Sequence, residues 1–87
     1  MQKLNAKTKD GEQLGYEDGI IYKRGNRGFY FGLSVEDMII ALSDNNIYPK
    51  VKFDAQFELI YDEGLNRYAT GDTLNRAFVN LILTLFG

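Results

Sequence analysis

From Lys50 to Asp62 the chain alternates apolar and polar positions. Val51, Phe53, Ala55, Phe57, Leu59 and Tyr61 fall on one side, and Lys50, Lys52, Asp54, Gln56, Glu58 and Asp62 on the other, with Ile60 the one apolar residue among them. A period of two predicts a half-buried antiparallel strand, or a tightly joined pair broken at Asp54-Ala55. The mean strand length of about five or six residues favours the pair, and the lack of a glycine or turn dipeptide favours the single strand.

Upstream, short runs with strand character are punctuated by turn residues. Asp10-Gly11 predicts a two-residue hairpin joining a strand near residues 4–9 to one near 12–16, and Glu17-Asp18-Gly19 marks the next reversal. Ile20–Arg24 and Phe29–Leu33 then form a hairpin around Gly25-Asn26-Arg27-Gly28. With Asn26-Arg27 as its loop, Tyr22 would pair with Phe31 and Lys23 with Tyr30. Ile20, Tyr22, Phe29, Phe31 and Leu33 would face the core, and Ile21, Lys23 and Tyr30 would face away. Lys3, Lys7 and Lys9 on one side of the first strand suit a sheet edge that resists further pairing. Residues 1–9 are equally suited to fraying.

Two stretches change to helical spacing. Ser34-Val35-Glu36-Asp37 reads as a capping-box start, followed by an apolar stripe of Val35, Met38, Ile39 and Leu42 and a stop at Asp44-Asn45-Asn46. Thr70 or Asp72 can cap a last helix over residues 73–86. In that helix Leu74, Ala77, Phe78, Leu81, Ile82 and Leu85 fill an arc of about 140°. Val79, Leu83 and Phe86 make a second apolar arc beside it. Either the N-terminal strands or the first helix cover that second arc, or Val79, Leu83 and Phe86 form an oligomer seam.

The elements add up to one α+β domain spanning residues 1–87: an antiparallel β-meander of four to five strands with two helices packed on one face. A chain of this length buries only about 60–65% of its unfolded surface. Small domains commonly add a disulfide, a metal or a partner subunit. With no Cys and no His, disulfides and nitrogen- or sulfur-ligated metals are unavailable, which leaves association, as a homodimer or larger, as the expected device. The N-terminus lacks the apolar stretch of a signal peptide, and the run Val79–Phe86 is far short of the ~20 residues of a membrane helix. A cytoplasmic protein without membrane contact is the expectation.

The net charge of −2 neither draws the whole chain to nucleic acid nor imitates nucleic acid. Catalysis is not expected, because the commonest general base and the strongest nucleophile are both missing. Asp54 and Glu58, if on one strand, lie roughly 13 Å apart, beyond the ~5–9.5 Å of glycosidase carboxyl pairs. They read as a solvated sheet face. Asp62, Glu63 and Asn66 match no EF-hand spacing. No cofactor is implied.

The basic hairpin is the candidate site. Lys23, Arg24 and Arg27 cluster beside Tyr22, Phe29, Tyr30 and Phe31. Tyr and Arg are enriched at protein-binding hot spots, so Tyr30, Arg24, Arg27 and Lys23 form the expected partner-binding set. Cations interleaved with rings on a sheet also serve single-stranded nucleic acid, which is the alternative. Arg27-Gly28-Phe29-Tyr30-Phe31 resembles part of the RNP1 element of RRM domains. It departs from that element at Tyr30, Gly32 and Ser34, and residues 1–19 carry hairpin turns where an RRM has a helix, so the family is not assigned. In size and composition alone the chain resembles accessory or inhibitor-like proteins of phages and mobile elements. The function expected from sequence is therefore a non-enzymatic protein-interaction module that self-associates through its last helix.

Overall fold

A computed structural model describes all residues 1–87. Strands β1 (Gln2–Lys7), β2 (Gln13–Glu17), β3 (Ile20–Arg24) and β4 (Tyr30–Gly32) form an antiparallel meander in that spatial order. Helix α1 (Val35–Asp44) leads to a second antiparallel sheet of β5 (Lys50–Asp54), β6 (Gln56–Asp62) and β7 (Arg67–Gly71), and α2 (Leu74–Phe86) closes the chain. The fold is α+β, and the strands divide between two sheets.

Local chemistry accounts for both helix starts. The Ser34 hydroxyl accepts from the Asp37 amide at 3.2 Å while the Asp37 carboxylate accepts from the Ser34 amide at 3.2 Å, a complete capping box. The Thr73 hydroxyl accepts from the Arg76 amide at 3.0 Å, so Thr73, not Thr70 or Asp72, caps α2. Two bonds tie the end of α1 to the first hairpin: the Lys9 amide donates to Asp44 Oδ2 at 2.8 Å, and Asn45 Nδ2 donates to the Lys7 carbonyl at 3.1 Å.

The turns correct two expectations from sequence. In the first hairpin the Thr8 amide donates to the Glu12 carbonyl and the Gly11 amide to the Thr8 carbonyl, both at 2.9 Å. Its loop is therefore the three residues Lys9-Asp10-Gly11. The two-residue turn with positive φ at both positions occurs at Asp18 (48°) and Gly19 (81°) instead. In the basic hairpin the Gly25 amide donates to the Phe29 carbonyl at 2.8 Å, and Gly28 (φ 81°) is the left-handed third residue of another three-residue loop. The extra loop residue moves the register by one: Tyr22 pairs with Gly32, Lys23 with Phe31 and Arg24 with Tyr30. A one-residue slip turns every side chain to the other face. The slip turns Ile21 into the core and Ile20 outward; Leu33 is buried as expected, while Phe29 and Phe31 are exposed, Phe31 on the same side of the sheet as Ile21.

The alternating segment is two strands. Ala55, at φ 65°, is the tip, and Asp54 faces Gln56 across it. Because this register opposes odd residues to odd, Val51 meets Leu59 and Phe53 meets Phe57. The apolar set read from the sequence thus stays on one face. A left-handed conformation costs an alanine about 1–2 kcal/mol that glycine avoids. Allowing for the greater chain entropy of glycine, Ala55→Gly is expected to stabilise the fold by about 0.5–1 kcal/mol, read as a raised midpoint in urea unfolding.

One core of fifteen buried residues joins the two sheets to both helices, with Leu4, Leu14 and Ile21 from the first sheet, Met38 and Leu42 from α1, Leu59 from β6, and Phe78, Leu81 and Ile82 from α2 among them. Ala41, not Ile39, completes the buried stripe of α1. Helix α2 packs on β6 and β7 and also against α1 and β1. These neighbours cover the second apolar arc. Val79 is only 2% exposed, and Leu83 and Phe86 are half-buried against the core. A side chain as enclosed as Val79 has no surface to offer a second chain, so the expected oligomer seam on α2 loses its centre.

Candidate binding face

The helices lie on the inner side of the four-stranded sheet, where Leu4, Ala6, Leu14, Ile21 and Leu33 are buried. Its outer side carries no helix. One row there runs Lys3–Gly15–Tyr22–Gly32 across all four strands. Lys7 opposite Gln13, and Arg24 opposite Tyr30, define the next row.

The simple alternation of β1 brings both lysines to this side and turns Leu4 and Ala6 inward. The β1–β2 register also shifts between Lys3 and Lys7, a bulge in the pairing. Gln13 Nε2 donates to the Ala6 carbonyl at 3.0 Å and also to the Leu4 carbonyl, partnering backbone acceptors where the register shifts. The glycines at 15 and 32 leave the middle of the face low. Met1 lies over Gly15, where an added Cβ would stand 2.6 Å from its sulfur. The result is a shallow cavity of about 430 Å³ lined by Lys3, Lys7, Gln13, Gly15, Arg24 and Tyr30, among others.

Charge on this face is one-sided. Lys3, Lys7 and Arg24 make no ion pair. The nearby acids are already engaged: Glu17 pairs with the terminal amine at 3.3 Å, and Glu12 lies 3.8 Å from Lys23 and accepts from the Thr8 hydroxyl at 3.2 Å.

Of the four partner-binding residues expected from sequence, the structure brings Arg24 and Tyr30 together on the outer face. Arg27 is exposed at the loop tip beyond it. Lys23 belongs to the opposite face, in register with Leu14 and Phe31 and paired with Glu12. As neighbours along one strand, Lys23 and Arg24 point to opposite faces in any register. Lys3, Lys7 and Tyr22 join the face although the sequence assigned the lysines to edge protection and the tyrosine to the core.

Elsewhere the chemistry is sparse. Asp54 and Glu58 lie on adjacent strands rather than one, opposite Gln56 and Lys52 respectively. Asp62 Oδ1 accepts from the Leu65 amide at 3.1 Å, bracing the turn before β7. No three His, Cys, Asp or Glu residues stand close enough to hold a metal ion. No helix is long and apolar enough to cross a membrane. Comparison with protein-family models, with curated proteins and with solved structures finds no match for this chain.

Proposed function

We propose that this chain is a non-enzymatic interaction module, accessory or inhibitor-like, whose outer sheet face docks an acidic segment of another protein. The observation that supports this is the group of three unpaired cations, Lys3, Lys7 and Arg24, around a cavity beside Tyr22 and Tyr30 on a face with no helix. Tyr and Arg provide contact area and directed hydrogen bonds at modest entropic cost, and the cations steer an acidic partner.

A second reading is single-stranded nucleic-acid binding, favoured by two tyrosines on adjacent strands of one face with Arg24 opposite Tyr30. One experiment addresses both. The wild type and the double variant Arg24→Glu/Tyr30→Ala are used as bait in host lysate, and each is titrated with labelled oligo-dT and with a labelled poly-glutamate peptide. The proposal expects capture of a defined protein by wild type alone, and peptide binding weakened in the variant. The second reading expects oligo-dT binding that falls about 20-fold between 50 and 200 mM salt, the slope for roughly three neutralised phosphates. Equal capture by both proteins would remove the outer face from consideration.

A further inference from the structure

A different surface of the molecule is unfinished. Strand β5 is an edge of the three-stranded sheet, and all five of its residues are exposed. Its apolar side continues the core: Val51 is 55% exposed and lies in register with Leu59, which is fully buried, and Phe53 is 63% exposed opposite Phe57. Helix α2 covers β6 and β7 and stops short of β5. An edge strand with free backbone groups and bare apolar side chains is a template for another strand.

Its sequence specifies which strand. Lys52-Phe53-Asp54 is self-complementary when read antiparallel, because a copy rotated about Phe53 presents Asp-Phe-Lys. We propose that a second copy of this chain pairs antiparallel along β5, with the two-fold axis at Phe53. Lys52 then stands opposite the second copy's Asp54 twice over, and the two Phe53 rings meet on the apolar side. In each chain Phe53 already packs on Phe57 with ring centroids 4.8 Å apart and planes at 56°, so the pairing makes a row of four rings. Lys52 also faces Glu58 of its own chain, so the charges alternate across the joint as Glu58, Lys52, Asp54.

Neighbouring registers are worse. A shift by two residues sets Lys52 against Lys52 in one direction and Asp54 against Asp54 in the other, and any odd shift sets Val51 or Phe53 against a charged residue. Edge lysines normally discourage pairing. Here each Lys52 gains a carboxylate only when the partner is another copy in this register. The product is a six-stranded sheet joining two three-stranded ones. Its contact is a short strand edge, so the dimer is weak and concentration-dependent. This inference does not depend on the outer face of the four-stranded sheet.

The test uses the full chain in sedimentation equilibrium from micromolar to millimolar loading. Wild type is expected to pass from monomer to dimer. Lys52→Asp and Asp54→Lys are each expected to remain monomeric, since each opposes like charges. Mixed one to one, the two variants are expected to recover the dimer as a heterodimer. A second measurement does not depend on charge: the chain has no cysteine, so Phe53→Cys should form a disulfide dimer on mild oxidation, whereas Cys at Ile39, also exposed but away from β5, should not. Wild type that stays monomeric at millimolar concentration overturns the proposal. So do single variants that dimerise like wild type, a mixture that stays monomeric, or equal cross-linking at 53 and 39.

Discussion

Val79→Asp is expected to lower stability by about 3–5 kcal/mol or more, whatever the protein concentration. The Val79 side chain is 2% exposed in the single chain, amid Phe78, Leu81 and Ile82 of its own helix and the rest of the core. An aspartate there must give up its hydration with no cation to receive it. An uncompensated buried charge costs about 3–5 kcal/mol, against a total stability of roughly 4–13 kcal/mol for a domain of this length. Loss of the valine's packing adds to that cost. Far-UV circular dichroism and urea titration would read the result, and acidification checks its cause. Burial favours the neutral carboxyl, which raises the folded-state pKa above the unfolded one. The penalty should therefore shrink below about pH 4 and reach its full size as the pH rises through the folded-state pKa. A variant that stayed folded and merely lost self-association would restore Val79, Leu83 and Phe86 as a seam. By contrast, the substitutions at Lys52 and Asp54 act on exposed positions and should change association with little effect on stability.

That difference between α2 and β5 is also where the sequence was least legible. Helical spacing identified α2 and its surplus of apolar residues correctly, but the covering of its second arc by α1 and β1 depends on contacts between distant parts of the chain, which no local pattern encodes. The alternation over residues 50–62 located its apolar face, because the turn at Ala55 keeps odd residues opposite odd. The same regularity concealed the break, since Ala55 takes a left-handed conformation without the glycine or asparagine that would announce it. It also gave no sign that Val51 and Phe53 lie beyond the reach of the helix.

The candidate face was legible in its parts and not in its assembly. Arg24 and Tyr30 were recognisable by type, and their neighbourhood followed from a hairpin that the turn residues mark clearly. Which side of the sheet they occupy depended on whether Gly28 belongs to the strand or to the loop, and a glycine able to take φ 81° decides for the loop. Lys3 and Lys7 share a side by the alternation visible in the sequence, but that this side is the one carrying Arg24 and Tyr30 depends on how β1 pairs through β2 to β3, which no local pattern encodes. Capping is the opposite case. Ser34 with Asp37 acts within one turn, and the residues alone were enough to place the start of α1.

Gly71→Ala is expected to lower stability by about 3 kcal/mol, although it adds a single methyl group. Gly71 ends β7, opposite Phe57, and only Asp72 and Thr73 separate it from α2, so the first helical turn folds back directly over the strand. A Cβ at this position would collide with the Ala77 amide nitrogen and lie 2.8 Å from both Ala77 Cα and the Arg76 carbonyl carbon. These are backbone atoms and cannot rotate aside, so the helix must lift or the strand must bend. Lifting the helix would pull on the Asn80 side chain, whose Nδ2 donates to the Thr70 carbonyl at 2.8 Å, and would withdraw Phe78, Leu81 and Ile82 from the core. At roughly 4–8 °C per kcal/mol for a domain of this size, the melting temperature should fall by about 12–24 °C. Gly64→Ala is the control, since a Cβ there meets nothing closer than Asp62 Oδ1 at 3.6 Å, and its melting temperature should stay close to that of wild type. Equal melting temperatures for the two variants would mean that α2 does not sit directly on β7, and the packing that leaves β5 uncovered would have to be redrawn with it.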